Sequence, residues 1–309
     1  MITHLLDRPE DVARAVDAFQ DDGYLVLDGL FTEQDVAGFR RLRERAVADT
    51  RFTDGTDDRP LFVTNLVERY PREVWPVVSR PRLLRFAEAV MGPRVQLDST
   101  VLFGAPAMET ELRGLPVHWH RDRFGSFPRG GYAHPLLIIC FLYLQPMTDD
   151  AGPLRVIPGS HRRAVTIAPD ALDQPHPEEQ LLATRPGHLV VIHHNLLHSG
   201  SHSVLAEERQ FLGIGFNTSA MRQDDTYTGP NCTALARTAR RTGDRRALRL
   251  LGRDDTINLR QNAGFTSPED SVWARWADED DRALIPAEDK AVRTARAALL
   301  PDIPQGPTA

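Results

Sequence analysis

The sequence predicts a mainly β fold with helical additions: a β-sandwich, jelly roll or barrel in the middle, with helices before and after it. Three observations carry this expectation. Between Arg94 and Arg222 the apolar residues fall in short β-branched or aromatic runs separated by Gly, Pro, Asp and Ser clusters, the punctuation of layered sheets rather than of βαβ units. On either side of that stretch the apolar spacing is helical. No glycine-rich phosphate loop follows a strand, since Gly130-Gly131 lacks the remaining spacing.

Taken in order, Pro9 to Phe19 carries Val12, Ala15, Val16 and Phe19 at helical spacing, and Gly23 stops the helix. Tyr24 to Leu27 reads as a strand. Thr32 is an N-cap, with Glu33 and Asp35 in the first turn of a helix running to about Val47. The arginines of that helix, Arg40, Arg41, Arg43 and Arg45, read as a solvated face. Asp49 to Pro60 reads as a polar loop, and Pro81 to Met91 as a helix closed by Gly92-Pro93. Strand character follows at Val95–Phe103, Leu136–Leu144, Leu154–Ile157, Leu189–Ile192 and Phe211–Phe216. Helical spacing returns at Ala234–Thr242, Arg245–Leu251 and Pro286–Leu300. The whole is expected to be one domain over 1–309: mixed support in 1–93, a β core in 94–220, a helical extension in 221–300 and a tail in 301–309.

Composition narrows the function classes. The 309 residues are 41% hydrophobic and 26% charged, which is ordinary globular chemistry. A net charge of −6, from 37 basic and 43 acidic side chains, lacks the basic footprint of a nucleic-acid binder. Cys140 and Cys232 are the only cysteines, so neither a disulfide framework nor a cysteine-based metal site is expected. The longest apolar run, Leu136 to Leu144, is far short of the roughly 18 residues of a membrane span. With no signal-like start, a cytoplasmic protein is expected, with no membrane or nucleic-acid partner.

The chemistry gathers around histidine. In Val117-His118-Trp119-His120-Arg121-Asp122, residues two apart on an extended segment share a side, so His120 and Asp122 point an imidazole and a carboxylate into one space. With one more histidine, such a pair forms the 2-His-1-carboxylate face of non-haem Fe(II) oxygenases. Alone, the pair reads equally as a surface ion pair. His176-Pro177-Glu178 has the same spacing, but its flanking prolines place it in a loop. A second cluster, His188, His193, His194, His198 and His202, surrounds the strand entering Leu197-His198-Ser199-Gly200. There His194 reads as a core histidine, and His193 and His202 as surface or loop residues. Arg209 opens the last strand, where a guanidinium suits a carboxylate through paired hydrogen bonds. Without the neighbouring motifs it reads as a solvated arginine of the turn Glu207-Glu208-Arg209.

Together, Trp119-His120-Arg121-Asp122, the block Ala151 to His161 (AGPLRVIPGSH), Leu197-His198-Ser199-Gly200 with Arg209 after it, and the opening Asp22 to Leu27 resemble the phytanoyl-CoA dioxygenase family of Fe(II)/2-oxoglutarate oxygenases, which includes ectoine hydroxylases and natural-product tailoring enzymes. The likeness covers roughly residues 10 to 220. It implies a double-stranded β-helix (jelly-roll) core with supporting helices. It implies Fe(II) on His120, Asp122 and His198, with Arg209 on the far carboxylate of 2-oxoglutarate and molecular oxygen as co-substrate. His161 is not a ligand in that family. The implied reaction is oxidation of an unactivated C–H bond of a small molecule by hydroxylation, ring closure or desaturation; the arginine-rich composition, with Lys290 the only lysine, fits secondary metabolism, and a monomer or homodimer is expected. An intact Asp122 argues for oxygen chemistry, because halogenases of the superfamily carry Gly or Ala there. Two positions depart from the pattern: Gly200 stands where many relatives have serine, and Arg121 where glutamine is frequent.

The segments Ala105–Val117 and Arg123–His134 flank the motif as a candidate lid. With the motif they offer Arg113, Arg121, Arg123, Phe124, Phe127, Arg129 and Tyr132, a set suited to an anionic, amino-acid-like or sugar-like substrate. The competing reading is a non-redox metal-binding jelly roll: a zinc hydrolase using His194 and His198, or a ligand-binding module.

Overall fold

The computed structural model describes residues 2–4, 9–49, 61–92, 94–122 and 135–254. The lid segment 123–134, most of the polar loop, and the helix and tail read from the C-terminal sequence lie outside the described residues. Local signals set the first elements. Helix α1 (Pro9–Asp22) ends at Gly23, whose φ of +79° is the left-handed conformation a glycine adopts freely. Strand β2 (Tyr24–Asp28) follows. Helix α2 (Glu33–Val47) starts with a capping box, in which Thr32 and Asp35 satisfy each other's backbone N–H groups.

Strand β3 (Phe62–Thr64) and helices α3 (Leu66–Arg69) and α4 (Pro71–Val78) were not legible in the sequence. Proline at 76 argues against a helix, yet α4 forms around it because Val74, Val77 and Val78 bury almost completely. Helix α5 (Pro81–Met91) ends at Gly92. The solvated reading of the α2 arginines holds at Arg41 and Arg45 and fails at Arg43. Arg43 is fully buried, and donates to the Glu208 carboxylate at 2.9 Å and to the Gly104 carbonyl. Arg40 likewise donates to the Leu144 carbonyl and pairs with Glu207.

The remaining strands are β4 (Val95–Ala105), β5 (Leu137–Tyr143), β6 (Leu154–Val156), β7 (Gln180–Leu182), β8 (Leu189–His193), β9 (His198–Ser199) and β10 (Arg209–Thr218). They form two sheets. One has seven strands in the order β1-β2-β8-β5-β10-β4-β3, where β1 is Ile2–His4; all its pairings are antiparallel except β1 with β2. The other has the order β7-β6-β9. The sequence did not reveal β7 and β9, which are too short to show a period. The fold is thus mainly antiparallel sheet with flanking helices.

Strand alternation divides the burial. One face of the large sheet, including Leu102, Ile138, Cys140, Leu142, Leu189, Val191, Leu212 and Ile214, packs against the helices. The other face sends Tyr24, Val26, Tyr143, Val190, Ile192 and Phe211 against Leu154, Val156 and Leu182 of the small sheet. Helices α6 (Pro230–Thr242) and α7 (Arg245–Leu250) dock on the helical side, where Arg246 grips the Glu88 carboxylate of α5 with two hydrogen bonds of 2.9 and 2.8 Å. Among the described residues no helix is long and apolar enough to cross a membrane.

Candidate metal centre

The small sheet is extended by the segment that carries the first histidine. His120 and His198 face each other across an antiparallel bridge and exchange both backbone hydrogen bonds at 3.0 Å. Residues opposed in this way send their side chains to the same face, and the two imidazole centroids lie 4.3 Å apart. Trp119, one residue earlier, turns to the opposite face. There it buries against Ile157 and Leu197, and its indole N–H donates to the Gln174 carbonyl at 2.9 Å. Alternation therefore presents His120 while Trp119 anchors its strand.

Asp122 completes the group. Its Oδ1 lies 3.7 Å from His120 Nε2 and its Oδ2 lies 3.5 Å from His198 Nε2. Among the described residues these three make up the one group of His, Cys, Asp or Glu with ligand atoms all within 4.8 Å of one another. His120 Nδ1 is 2.8 Å from the His118 carbonyl, and His198 Nδ1 is 3.0 Å from that of Leu196. A carbonyl only accepts, so each Nδ1 carries the proton and each Nε2 turns a lone pair inward, as a metal ligand requires. Burial holds the pKa of His198 below its ordinary value, against the pull of the Asp122 carboxylate. Asp122 Oδ2 is buried with no hydrogen-bond partner. A carboxylate oxygen stripped of water in this way is costly unless a cation or donor meets it. The donor set of two imidazoles and a carboxylate, with that orphaned oxygen, fits a divalent transition metal.

Arg209 is not in a solvated turn. It is 7% exposed, its Nε donates to the Gly152 carbonyl at 2.7 Å, and its Nη2 donates to the Tyr143 hydroxyl at 3.2 Å. The guanidinium stands 5.6–5.7 Å from the ring centroids of Phe103, Tyr143 and Phe211. A Cβ placed on Gly200, two residues past His198, would lie 3.6 Å from Nη2, so the arginine borders the strand that carries the distal histidine. Flanking hydroxyls do not take the place of a serine at that position. Ser199 Oγ accepts the His118 N–H and donates to the Gly200 carbonyl, while Ser201 Oγ donates to the Pro153 carbonyl and accepts from Arg155.

Gly152 is needed for Arg209 to be held in this way. Its φ is +75°, and a Cβ there would sit 2.5 Å from the Ser201 carbonyl oxygen, a backbone atom unable to yield cheaply. Gly152→Ala is expected to cost about 1–3 kcal/mol, measured by denaturant titration, and to displace the carbonyl that orients Arg209. The sequence placed Gly152 in the AGPLRVIPGSH block but gave no sign of its partner, and Tyr143 was missed altogether.

Other sequence candidates fall elsewhere. Arg121 donates to the Asn195 carbonyl at 2.9 Å and the Ser160 carbonyl at 3.0 Å, so it braces loops rather than facing a substrate. Arg113 pairs with Asp150. His161 lies in the core, with Nε2 on the Gln20 carbonyl. His194, read as a core histidine, is buried with Nδ1 on the Leu137 carbonyl. His202 is half-buried. His193 corrects the surface reading. It is 2% exposed, its Nδ1 accepts the Asn195 N–H, and its ring stacks on His194. Its ring packs among Phe19, His161 and His194, contacts that the spacing of the histidines did not reveal.

A pH dependence follows. Burial, followed by the neighbouring His194 and His161, lowers the pKa of His193 from 6.5 to about 2. The unfolded chain therefore binds a proton below pH 6.5 that the folded chain refuses. This contribution to stability is full above that pH and is lost as pH falls toward 2, at no more than about 1.4 kcal/mol per pH unit. Metal-free protein should melt lower at pH 5 than at pH 7.5. His193→Asn, whose Oδ1 still accepts from Asn195, should flatten that slope, and an unchanged slope would contradict the assignment.

The profile of the family described as phytanoyl-CoA dioxygenase matches residues 19–207. The ectoine dioxygenase of Sphingopyxis alaskensis is 24% identical over 246 residues, covering 70% of this chain and 78% of the relative. Other relatives of that name are matched over only about half their length. Among solved structures, EctD from S. alaskensis with bound Fe superposes with a TM-score of 0.56 at 22% identity, covering 69% of this chain and 79% of that one. HygX from Streptomyces hygroscopicus with nickel and 2-oxoglutarate bound gives 0.56 at 17% identity, covering 68% and 88%.

Proposed function

The chain belongs to the phytanoyl-CoA dioxygenase family and is an Fe(II)/2-oxoglutarate-dependent oxygenase; from that premise we propose that it oxidises an unactivated C–H bond of a small molecule in secondary metabolism, within one domain whose two facing sheets form a double-stranded β-helix. His120, Asp122 and His198 hold the iron, and Arg209 receives the far carboxylate of 2-oxoglutarate. The observation that carries this assignment is the convergence of two Nε2 lone pairs, each fixed by a carbonyl on Nδ1, upon a buried carboxylate oxygen with no other partner.

When bound, the iron and its co-substrate supply oxygen activation coupled to conversion of 2-oxoglutarate to succinate. The protein's part is positional. The His120–His198 bridge fixes two ligands on one backbone ladder, so neither needs to reorganise when the metal arrives. Arg209, held by Gly152 and Tyr143, offers its remaining donors to a carboxylate from an apolar surround where a charge pair is strong. The competing zinc site on His194 and His198 lacks support, because His194 is turned to the Leu137 carbonyl and is not part of the convergent group.

The test is anaerobic addition of Fe(II) and 2-oxoglutarate, followed by oxygen. A visible metal-to-ligand charge-transfer band and then succinate release are expected. A protein that binds Zn(II) but forms no band with Fe(II) and 2-oxoglutarate refutes the reading.

A further inference from the structure

A row of aromatic side chains crosses the large sheet. In the pairing register Phe62 of β3 lies opposite Phe103 of β4, Phe103 opposite Phe211 of β10, and Phe211 opposite Tyr143 of β5. Opposed residues share a face, so all four rings stand on one side. Their centroids are 5.0, 4.6 and 5.8 Å apart in turn, and the central pair is stacked at 18°. Exposure falls along the row: Phe62 is 57% exposed, Phe103 half-buried, Phe211 9% and Tyr143 0%. At the buried end stands Arg209, over the last three rings.

Packing between the sheets accounts for Phe211 and Tyr143, which belong to that core. It does not account for Phe62. Edge strands are usually blunted with charges or proline, and this one presents an open phenyl ring beside Leu61, which is also exposed. The row is a continuous aromatic slope from solvent to the candidate co-substrate arginine. We propose that it is the substrate wall of this oxygenase, that it takes a planar aromatic small molecule by offset stacking, and that Phe62 at its outer end is a specificity-determining residue. The location of the reaction rests on the iron reading above; the stacking surface stands on the register. The row's one hydrogen-bonding side chain, Tyr143, already receives Arg209. Arg113 and Arg121, which argued in the sequence for an anionic substrate, pair with Asp150 and with loop carbonyls.

The probe is Prodan, a neutral naphthalene fluorophore whose emission shifts to the blue on leaving water, titrated into the full chain loaded anaerobically with Fe(II) and 2-oxoglutarate. Saturable binding is expected, weakened about tenfold in Phe62→Ala, since a lost ring pair and its buried area are worth that order. Phe62→Leu should remain weak and Phe62→Trp should restore affinity, which separates stacking from apolar bulk. Excess 2-naphthol should compete, and L-proline should not. Among the described residues, another apolar surface for such a probe is the groove at Trp75 and Leu235 between α4 and α6. Trp75→Ala should leave Prodan affinity unchanged.

Absence of saturable binding, equal affinities in wild type and Phe62→Ala, recovery by leucine as complete as by tryptophan, or loss of binding in Trp75→Ala would each overturn the proposal. The charge-transfer band, read in the same samples, keeps the two readings apart. A normal band with Phe62-independent Prodan binding removes the substrate wall and leaves the iron site. Phe62-dependent binding with no band does the reverse.

Discussion

His198→Ala is expected to yield a folded protein that forms no Fe(II)–2-oxoglutarate band and releases no succinate. His198 is 3% exposed, sits opposite His120 on the ladder, and directs Nε2 at Asp122. Groups that merely orient a metal ligand are worth roughly 10–100-fold in metal affinity, so loss of a ligand should exceed that range. The backbone bridge between residues 120 and 198 does not use the imidazole and should survive, leaving the metal-free melting temperature within a few degrees of wild type. Asp122→Ala should abolish turnover as well, and it removes the orphaned buried carboxylate oxygen, so the metal-free fold should lose little or gain. Turnover at wild-type rates in either variant would overturn the assignment.

Arg209→Ala should weaken 2-oxoglutarate by about 2–5 kcal/mol, the scale for truncating one partner of a buried charge pair. Titrating the co-substrate against the charge-transfer band gives this directly, and the apparent KM for 2-oxoglutarate should rise far more than that for the primary substrate. Arg209→Lys should recover only part, because an ammonium cannot donate to the Gly152 carbonyl and the Tyr143 hydroxyl while also offering a planar fork to a carboxylate. The buried setting adds a stability cost that a solvated turn would not incur. In Arg209→Ala a carbonyl loses its donor and three rings lose a cation, so the metal-free protein should also melt earlier. A stable variant with unchanged co-substrate affinity would remove Arg209 from the site.

Much of the frame is legible without coordinates because it is encoded locally. The Thr32 cap, the Gly23 stop and the helix from Pro81 to Met91 follow from residues within a turn or two of each other. So does the strand character of Val95, Leu137, Leu189 and Phe211, whose runs are long enough to show a period. The pairing of His120 with Asp122 is also local, since the two stand two residues apart, although Asp122 lies in the turn that follows the bridge.

What the tertiary structure decided is every property that depends on a partner far along the chain. His198 became the direct neighbour of His120 through a ladder that spacing alone does not specify. Arg43 and Arg209 look like solvent-facing charges in sequence, yet both are buried, because Glu208 for one and the Gly152 carbonyl and Tyr143 hydroxyl for the other meet them inside. His193 entered the core where Phe19, His161 and His194 pack around its ring, and α4 tolerated Pro76 because burying its valines outweighs one missing backbone hydrogen bond. The physical reason is common to all of these cases. Backbone preference acts over a few residues, whereas the cost of burying a charge is set by whatever the fold brings within hydrogen-bond reach, and that is fixed only when distant segments pack.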